Sequence, residues 1–135
     1  MSLVIDASVT LAWVLAEETT TAALPVRARV IAEGAIAPQH WRLEVCNALL
    51  IAARRRRYDL EFLVDDLGLL GELPILIDGE TSAVCWGDTR ALAQAHGLTM
   101  YDAAYLELAL RLGLPLATCD HALAAAARAA SATIA

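Results

Sequence analysis

Leu3-Val4-Ile5-Asp6-Ala7-Ser8 opens with a short apolar β-type run that stops at an acid, and the rest of the chain repeats that grammar. A run this brief is expected of a strand buried in a sheet. Asp6 or Ser8 can then cap a helix to about Ala16, with Val9, Ala12, Trp13 and Ala16 on one face. Thr19 to Glu33 is the next predicted helix; Pro25 is tolerable only near its first turn, and Gly34 ends it. Ala35-Ile36-Ala37 is a second strand, stopped by Pro38. His40 to about Arg56 is a helix apolar on nearly every side, as expected of a buried central element. Asp59 to Leu70 follows as a helix closed by Gly71, and Pro74-Ile75-Leu76-Ile77 is a third strand. Thr81 to His96 is a helix weakened in its middle by Gly87 and ended by Gly97. Thr99 to Leu112 is a helix ending at Gly113, Leu114 to Cys119 a fourth strand, Asp120 to Ala130 a last helix, and Thr133-Ile134 the stub of a fifth strand. Short strands separated by helices predict an α/β sandwich with a mainly parallel sheet and right-handed crossovers. No repeat or linker interrupts residues 1–135, which read as a single domain.

Composition narrows the function classes. Hydrophobic residues make up 59% of the 135, much of the excess being alanine, which suits tightly packed helices. No apolar run approaches the ~20 residues of a spanning helix, and Met1 to Ile5 is too short for a signal peptide, so a soluble cytoplasmic protein with no membrane partner is expected. Cys46, Cys85 and Cys119 are an odd count without C-x-x-C spacing, which argues against disulfides and thiolate zinc and for small buried residues in a reducing compartment. The net charge of −6 at first argues against nucleic acid, which surplus cations normally hold. All ten basic residues are arginines, four of them consecutive, Arg54, Arg55, Arg56 and Arg57. Global acidity is compatible with a nuclease if the negative charge gathers where metal cations bind.

Four acids are candidates for that gathering. Asp6 and Asp120 end strands, where open α/β sheets bind ligands, although each could simply cap the helix behind it. Asp102 fits a capping box, Thr99-Met-Tyr-Asp102. Glu44 is different: it lies inside an apolar helix, beyond any first turn, on a polar stripe His40, Glu44, Asn47. A buried carboxylate there requires something positive, and Arg55 is on the wrong side; the alternative is a solvent-facing Glu44. Packed together, the four would repel unless a cation sat among them. Oxygen ligands favour Mg²⁺ or Mn²⁺, which can activate water for attack on a phosphodiester. Ser8, Asn47 and Thr118 would orient the acids or a bound water.

Val4-Ile5-Asp6-Ala7-Ser8, Glu44-Val45-Cys46-Asn47, Leu98-Thr99-Met100-Tyr101-Asp102-Ala103-Ala104-Tyr105-Leu106 and Ala117-Thr118-Cys119-Asp120 resemble, in order, the PIN domain, and within it the VapC-type toxins of bacterial toxin–antitoxin pairs. The resemblance runs from the first strand to the last helix, and its Thr-x-Tyr-Asp-Ala-Ala-Tyr segment is the most specific part. It implies a three-layer α/β/α sandwich and a Mg²⁺- or Mn²⁺-dependent endoribonuclease that leaves a 5′-phosphate and a 3′-hydroxyl. Asp6, Glu44, Asp102 and Asp120 would surround the metal, Asp120 directly or through water, with Ser8, Asn47 and Thr118 in support. It also implies an RNA substrate, a homodimer and a cognate antitoxin that covers the acidic crevice. The absence of lysine is atypical, as is an end that falls where a final strand would run on.

Arg54 to Arg57 follow the helix of Glu44 and could grip RNA phosphates beside the site, or form a solvated C-terminus favoured by the macrodipole. Trp13, Trp41 and Trp86 are expected to pack in the core or an interface, Tyr101 and Tyr105 to pack beside Asp102, and His40, His96 and His121 show no ligand spacing. A haloacid-dehalogenase-like phosphatase would need a second Asp where Ser8 stands, so that reading fails. A non-catalytic PIN-like module for dimerisation or partner binding would be expected to lack one of the acids.

Overall fold

The computed structural model describes residues 1–15 and 22–135. Its centre is a parallel sheet of β1 (Val4–Ile5), β2 (Ala35–Ala37), β3 (Ile75–Ile77) and β4 (Leu116–Ala117), in the order β3-β2-β1-β4. Helices flank it to make a three-layer α/β/α sandwich. They are α1 (Ala7–Val14), α2 (Ala23–Glu33), α3 (Trp41–Arg54), α4 (Leu63–Gly71), α5 (Thr81–Val84), α6 (Arg90–His96), α7 (Met100–Leu112) and α8 (His121–Ala129). Helix α1 packs against α2 and α3, while α7 lies on β1 and β4 and gathers α6 and α8. The expected helix end near Ala16 and helix start at Thr19 lie outside the described residues.

The sheet is held by burial on both faces. Leu3, Val4, Ile5 and Leu116 are fully buried, which is why strands of two or three residues suffice. Val4 pairs with Ile36 on one side and Leu116 on the other, so β1 is the strand from which the chain departs in both directions. That arrangement places a topological switch point between β1 and β4, with the crevice at their carboxyl ends. Beyond β4, Ile134 adds a parallel bridge to Leu116, the expected stub of a fifth strand. Gly34 turns α2 into β2 at φ 78°, and a side chain there would also meet the Pro74 carbonyl at 3.2 Å.

Three expectations about the helices are corrected. Helix α3 is not apolar on all sides in effect: Trp41, Val45, Leu49 and Ala52 are buried, but Leu43 is 76% exposed. It is a one-faced helix whose outer face happens to carry apolar residues. The stretch Thr81 to His96 is interrupted by a π-helical turn over Cys85–Thr89, where Gly87 lowers the cost of leaving α geometry. Helix α3 stops through Arg56, a non-glycine residue at φ 57°, with the N–H of Arg57 donating to the Ala52 carbonyl at 2.8 Å and that of Arg56 to Ala53 at 3.0 Å. This is the Schellman pattern, so part of the arginine run terminates the helix. None of the cysteines is fully buried; Cys46 and Cys85 are free thiols, and Cys119 is exposed.

A carboxylate cluster ties α7 to the loop after β3. Arg111 donates to Glu107 Oε1 at 2.7 Å, to Asp78 Oδ2 at 2.7 Å and to Glu80 Oε2 at 2.8 Å. Glu107 and Asp78 are buried, so removing the guanidinium strands two acids in the interior. Arg111→Ala is expected to destabilise the fold by about 3 kcal/mol in urea unfolding, and Arg111→Lys to recover little of it, because an ammonium cannot serve three carboxylates in one plane. A loss under 1 kcal/mol would contradict this account.

Candidate active site

Asp6 follows the last residue of β1, and its N–H donates to the Ala117 carbonyl at 3.2 Å, stitching the carboxyl ends of β1 and β4. Its side chain caps α1, with the Val9 N–H donating to Oδ1 at 2.9 Å. Ser8 Oγ is 2.8 and 2.9 Å from the two carboxylate oxygens, and the Thr118 hydroxyl donates to Oδ2. Ser8 in turn accepts the Cys119 N–H at 2.8 Å, and Thr118 accepts the Asp120 N–H at 3.0 Å. Ser8 and Thr118 therefore sit where expected, as the groups that orient Asp6. Asp120 caps α8 through its own Oδ1, which accepts the Leu123 N–H at 2.9 Å.

Glu44 and Asp102 approach from helices. The Tyr105 hydroxyl donates to Glu44 Oε1 at 2.8 Å, and His40 Nε2 is 4.0 Å from the same oxygen. Among the described residues no arginine bonds to Glu44, which is half-buried and accepts from a neutral phenol. Asp102 lies in the first turn of α7, where the Thr99 hydroxyl accepts its N–H at 3.1 Å. The Thr99 half of the capping box is thus formed.

Electrostatics link the four acids in series. Burial pushes Asp6, only 3% exposed, up from 3.8 to about 6; hydrogen bonds from Thr118, Val9 and Ser8 pull it down without prevailing, and the charge of Glu44 adds to the rise. Burial raises Glu44, against the Tyr105 hydrogen bond and with the charge of Asp102. Burial raises Asp102 too, and next the charge of Asp120, opposed by Thr99 and His40. Each of these three feels the charge of the next acid, and among the described residues no arginine bonds to any of the four. Among those residues no three such side chains close round a single point as a finished metal cage. Mutually repelling carboxylates are expected to stand apart until a cation is among them. Their chemistry fits a hard divalent cation: oxygen donors, raised proton affinity at three of the four, and no arginine partner among the described residues.

Not every expected residue joins. Asn47 is exposed and makes no side-chain hydrogen bond among the described residues. Arg54 is ten residues beyond Glu44, so the helical rise puts it roughly 15 Å along the axis, and the four arginines are not beside the acids. Trp41 is buried and its Nε1 donates to Thr10 at 3.0 Å, and Trp13 donates to the Ala23 carbonyl; Trp86 is 86% exposed and so is not a core residue, and Tyr101, 66% exposed, rests against the His40 ring. Two residues were missed. Tyr105 lies three positions after Asp102, on the same helix face, which was the available signal. His40 was seen in the stripe with Glu44 but given no role.

The raised Asp6 predicts a pH signature. Between pH 3.8 and about 6 the folded chain binds a proton that the unfolded chain has released, so stability falls as pH rises through that window. With chelator present, Asp6→Asn keeps the cap and removes the charge. It is expected to be more stable than the parent by on the order of 2 kcal/mol at pH 7, the gap closing below pH 4, as read by urea unfolding. A gap that does not change with pH would refute the burial account.

The family model described as PIN domain matches residues 3–129. The crystal structure of PAE2754 from Pyrobaculum aerophilum is similar, with a TM-score of 0.68 and 26% identity over 93% of this chain and 84% of that one. No curated protein sequence matches. With the sheet order, the acids at its carboxyl edge and a match across nearly the whole sequence in agreement, the chain belongs to the PIN domain family.

Proposed function

We propose that the protein is a Mg²⁺- or Mn²⁺-dependent endoribonuclease, the toxin of a VapC-type toxin–antitoxin pair. The PIN domain is a metal-dependent nuclease fold. The observation that carries the reading is the row of acids, Asp6, Glu44, Asp102 and Asp120, three with raised proton affinity and none paired with an arginine among the described residues. These four would hold the cation, which when bound supplies Lewis acidity and an activated water for phosphodiester hydrolysis. Ser8 and Thr118 fix the Asp6 carboxylate, and Tyr105 fixes Glu44. A non-catalytic module would be expected to lack one of these acids, and all four stand.

RNA as the substrate, and the choice between the two metals, rest on the resemblance in the four motifs. So do the homodimer and the cognate antitoxin. The partners have further support in exposed apolar side chains, Leu43 on α3 and Val64 and Leu69 on α4, and in a cavity of about 390 Å³ lined from both helices by Trp41, Val45, Cys46, Leu67 and Leu70. The free thiols of Cys46 and Cys85 suit a reducing cytoplasm, and among the described residues no helix is long and apolar enough to cross a membrane.

Purified protein with Mg²⁺ or Mn²⁺ is expected to cleave RNA and to stop on chelation. Partners that merely orient metal ligands are worth roughly 10–100-fold, so Asp6→Asn and Asp102→Asn should each cost about 100-fold or more. Undiminished cleavage by either variant would sink the mechanism. Light scattering is expected to give twice the monomer mass; a monomer at tens of micromolar would remove the dimer.

A further inference from the structure

Glu44 is gripped on one side only, and the grip comes from residues whose positions are set elsewhere in the fold. The Tyr105 ring is almost wholly buried, which leaves its hydroxyl little freedom, and that hydroxyl lies 2.8 Å from Glu44 Oε1 across 61 residues of sequence. The imidazole of His40 lies 4.9 Å from the Tyr105 ring and 5.8 Å from that of Tyr101, tilted against both. Its Nε2 is 3.1 Å from the Tyr101 carbonyl. A carbonyl can only accept, so Nε2 carries the hydrogen, and this N–H edge stands 4.0 Å from the same Oε1. Oε1 thus accepts the phenol hydrogen with the edge of the His40 ring 4.0 Å away, while no bond to Oε2 exists among the described residues.

We infer that Tyr105 is a positioning residue that takes Oε1 of Glu44 and leaves Oε2 as the one oxygen this acid offers to a divalent cation, with His40 walling the Oε1 side. The inference rests on the nuclease reading above and adds to it a residue and a denticity. A carboxylate on a helix side chain has three rotatable bonds, and holding one oxygen from a buried ring removes most of that freedom before a cation arrives. The hydrogen bond also selects which oxygen remains, so Glu44 would act through a single oxygen rather than two.

The test is a double-mutant cycle read by calorimetry with Mn²⁺ alone, on the full chain without RNA. Tyr105→Phe deletes the hydroxyl and keeps the ring. Glu44→Asp keeps a carboxylate but is one methylene too short to reach the phenol. Tyr105→Phe is expected to weaken Mn²⁺ binding about tenfold in the parent and to change nothing further in the Glu44→Asp background. Unchanged affinity in the parent would overturn the proposal. So would equal weakening in both backgrounds, which is what a merely structural loss produces. A parent that binds no Mn²⁺ and cleaves no RNA would overturn the nuclease reading itself, whereas a parent that does both beside an unaffected Tyr105→Phe variant would overturn only the role of Tyr105.

Discussion

The structure depends on a buried carboxylate at the junction of β1 and β4. Asp6 terminates the central strand, caps the helix that follows it and receives the hydroxyls of Ser8 and Thr118, so one side chain joins the first and last strands of the sheet. Burial opposes this arrangement, since three sets of hydrogen bonds still leave the carboxyl titrating near 6. A neutral hydrogen-bonding side chain such as asparagine would suit the position better for folding alone. The acid persists at a site that folding does not favour, which is the mark of a position held for its chemistry.

Capping and catalysis looked like competing explanations of Asp6 and Asp120 when only the order of residues was considered. The geometry dissolves the competition. A carboxylate has two oxygens, and in both residues the helix N–H is accepted by Oδ1. The cap fixes the side chain's orientation; among the described residues the second oxygen of Asp120 has no bond, while that of Asp6 takes the hydroxyls of Thr118 and Ser8. Helix capping is therefore a means of presenting an acid at a strand end, and its signature in sequence counts for function as much as against it.

What could be read from the sequence, and what could not, follows the range of the interactions. The strands were legible because short apolar runs stopped by Pro38, Gly34 or an acid leave few alternatives, and β1 to β4 lie within the expected segments. The π turn at Cys85–Thr89 was half-visible through Gly87, whose low helix propensity marks the place but not the geometry. The partner of Glu44 was not legible, since Tyr105 lies 61 residues away and its ring looked like ordinary packing. Trp86 and Tyr101 lie outside the core: size suggests burial, but exposure is decided by which elements cover a face.

The molecule contains a second cluster of acids, and comparing the two separates structural carboxylates from functional ones. Asp78, Glu80 and Glu107 surround Arg111, which donates to all three. Burial pushes Asp78 upward, yet the hydrogen bonds of Arg111 and Thr81 and the charge of Arg111 outweigh it and hold the carboxyl below its ordinary value. At the carboxyl ends of β1 and β4 the same residue types meet hydroxyls and backbone N–H groups instead, and Asp6, Glu44 and Asp102 all move upward. A chain with ten arginines did not lack cations for the cluster at the strand ends. An arginine placed there would neutralise the acids permanently and occupy the oxygens, whereas hydroxyls orient them and leave their charge uncompensated. The choice of neutral donors at one cluster and a guanidinium at the other is what a site for an exchangeable cation requires, and it accounts for how a protein of net charge −6 can be built to act on a polyanion.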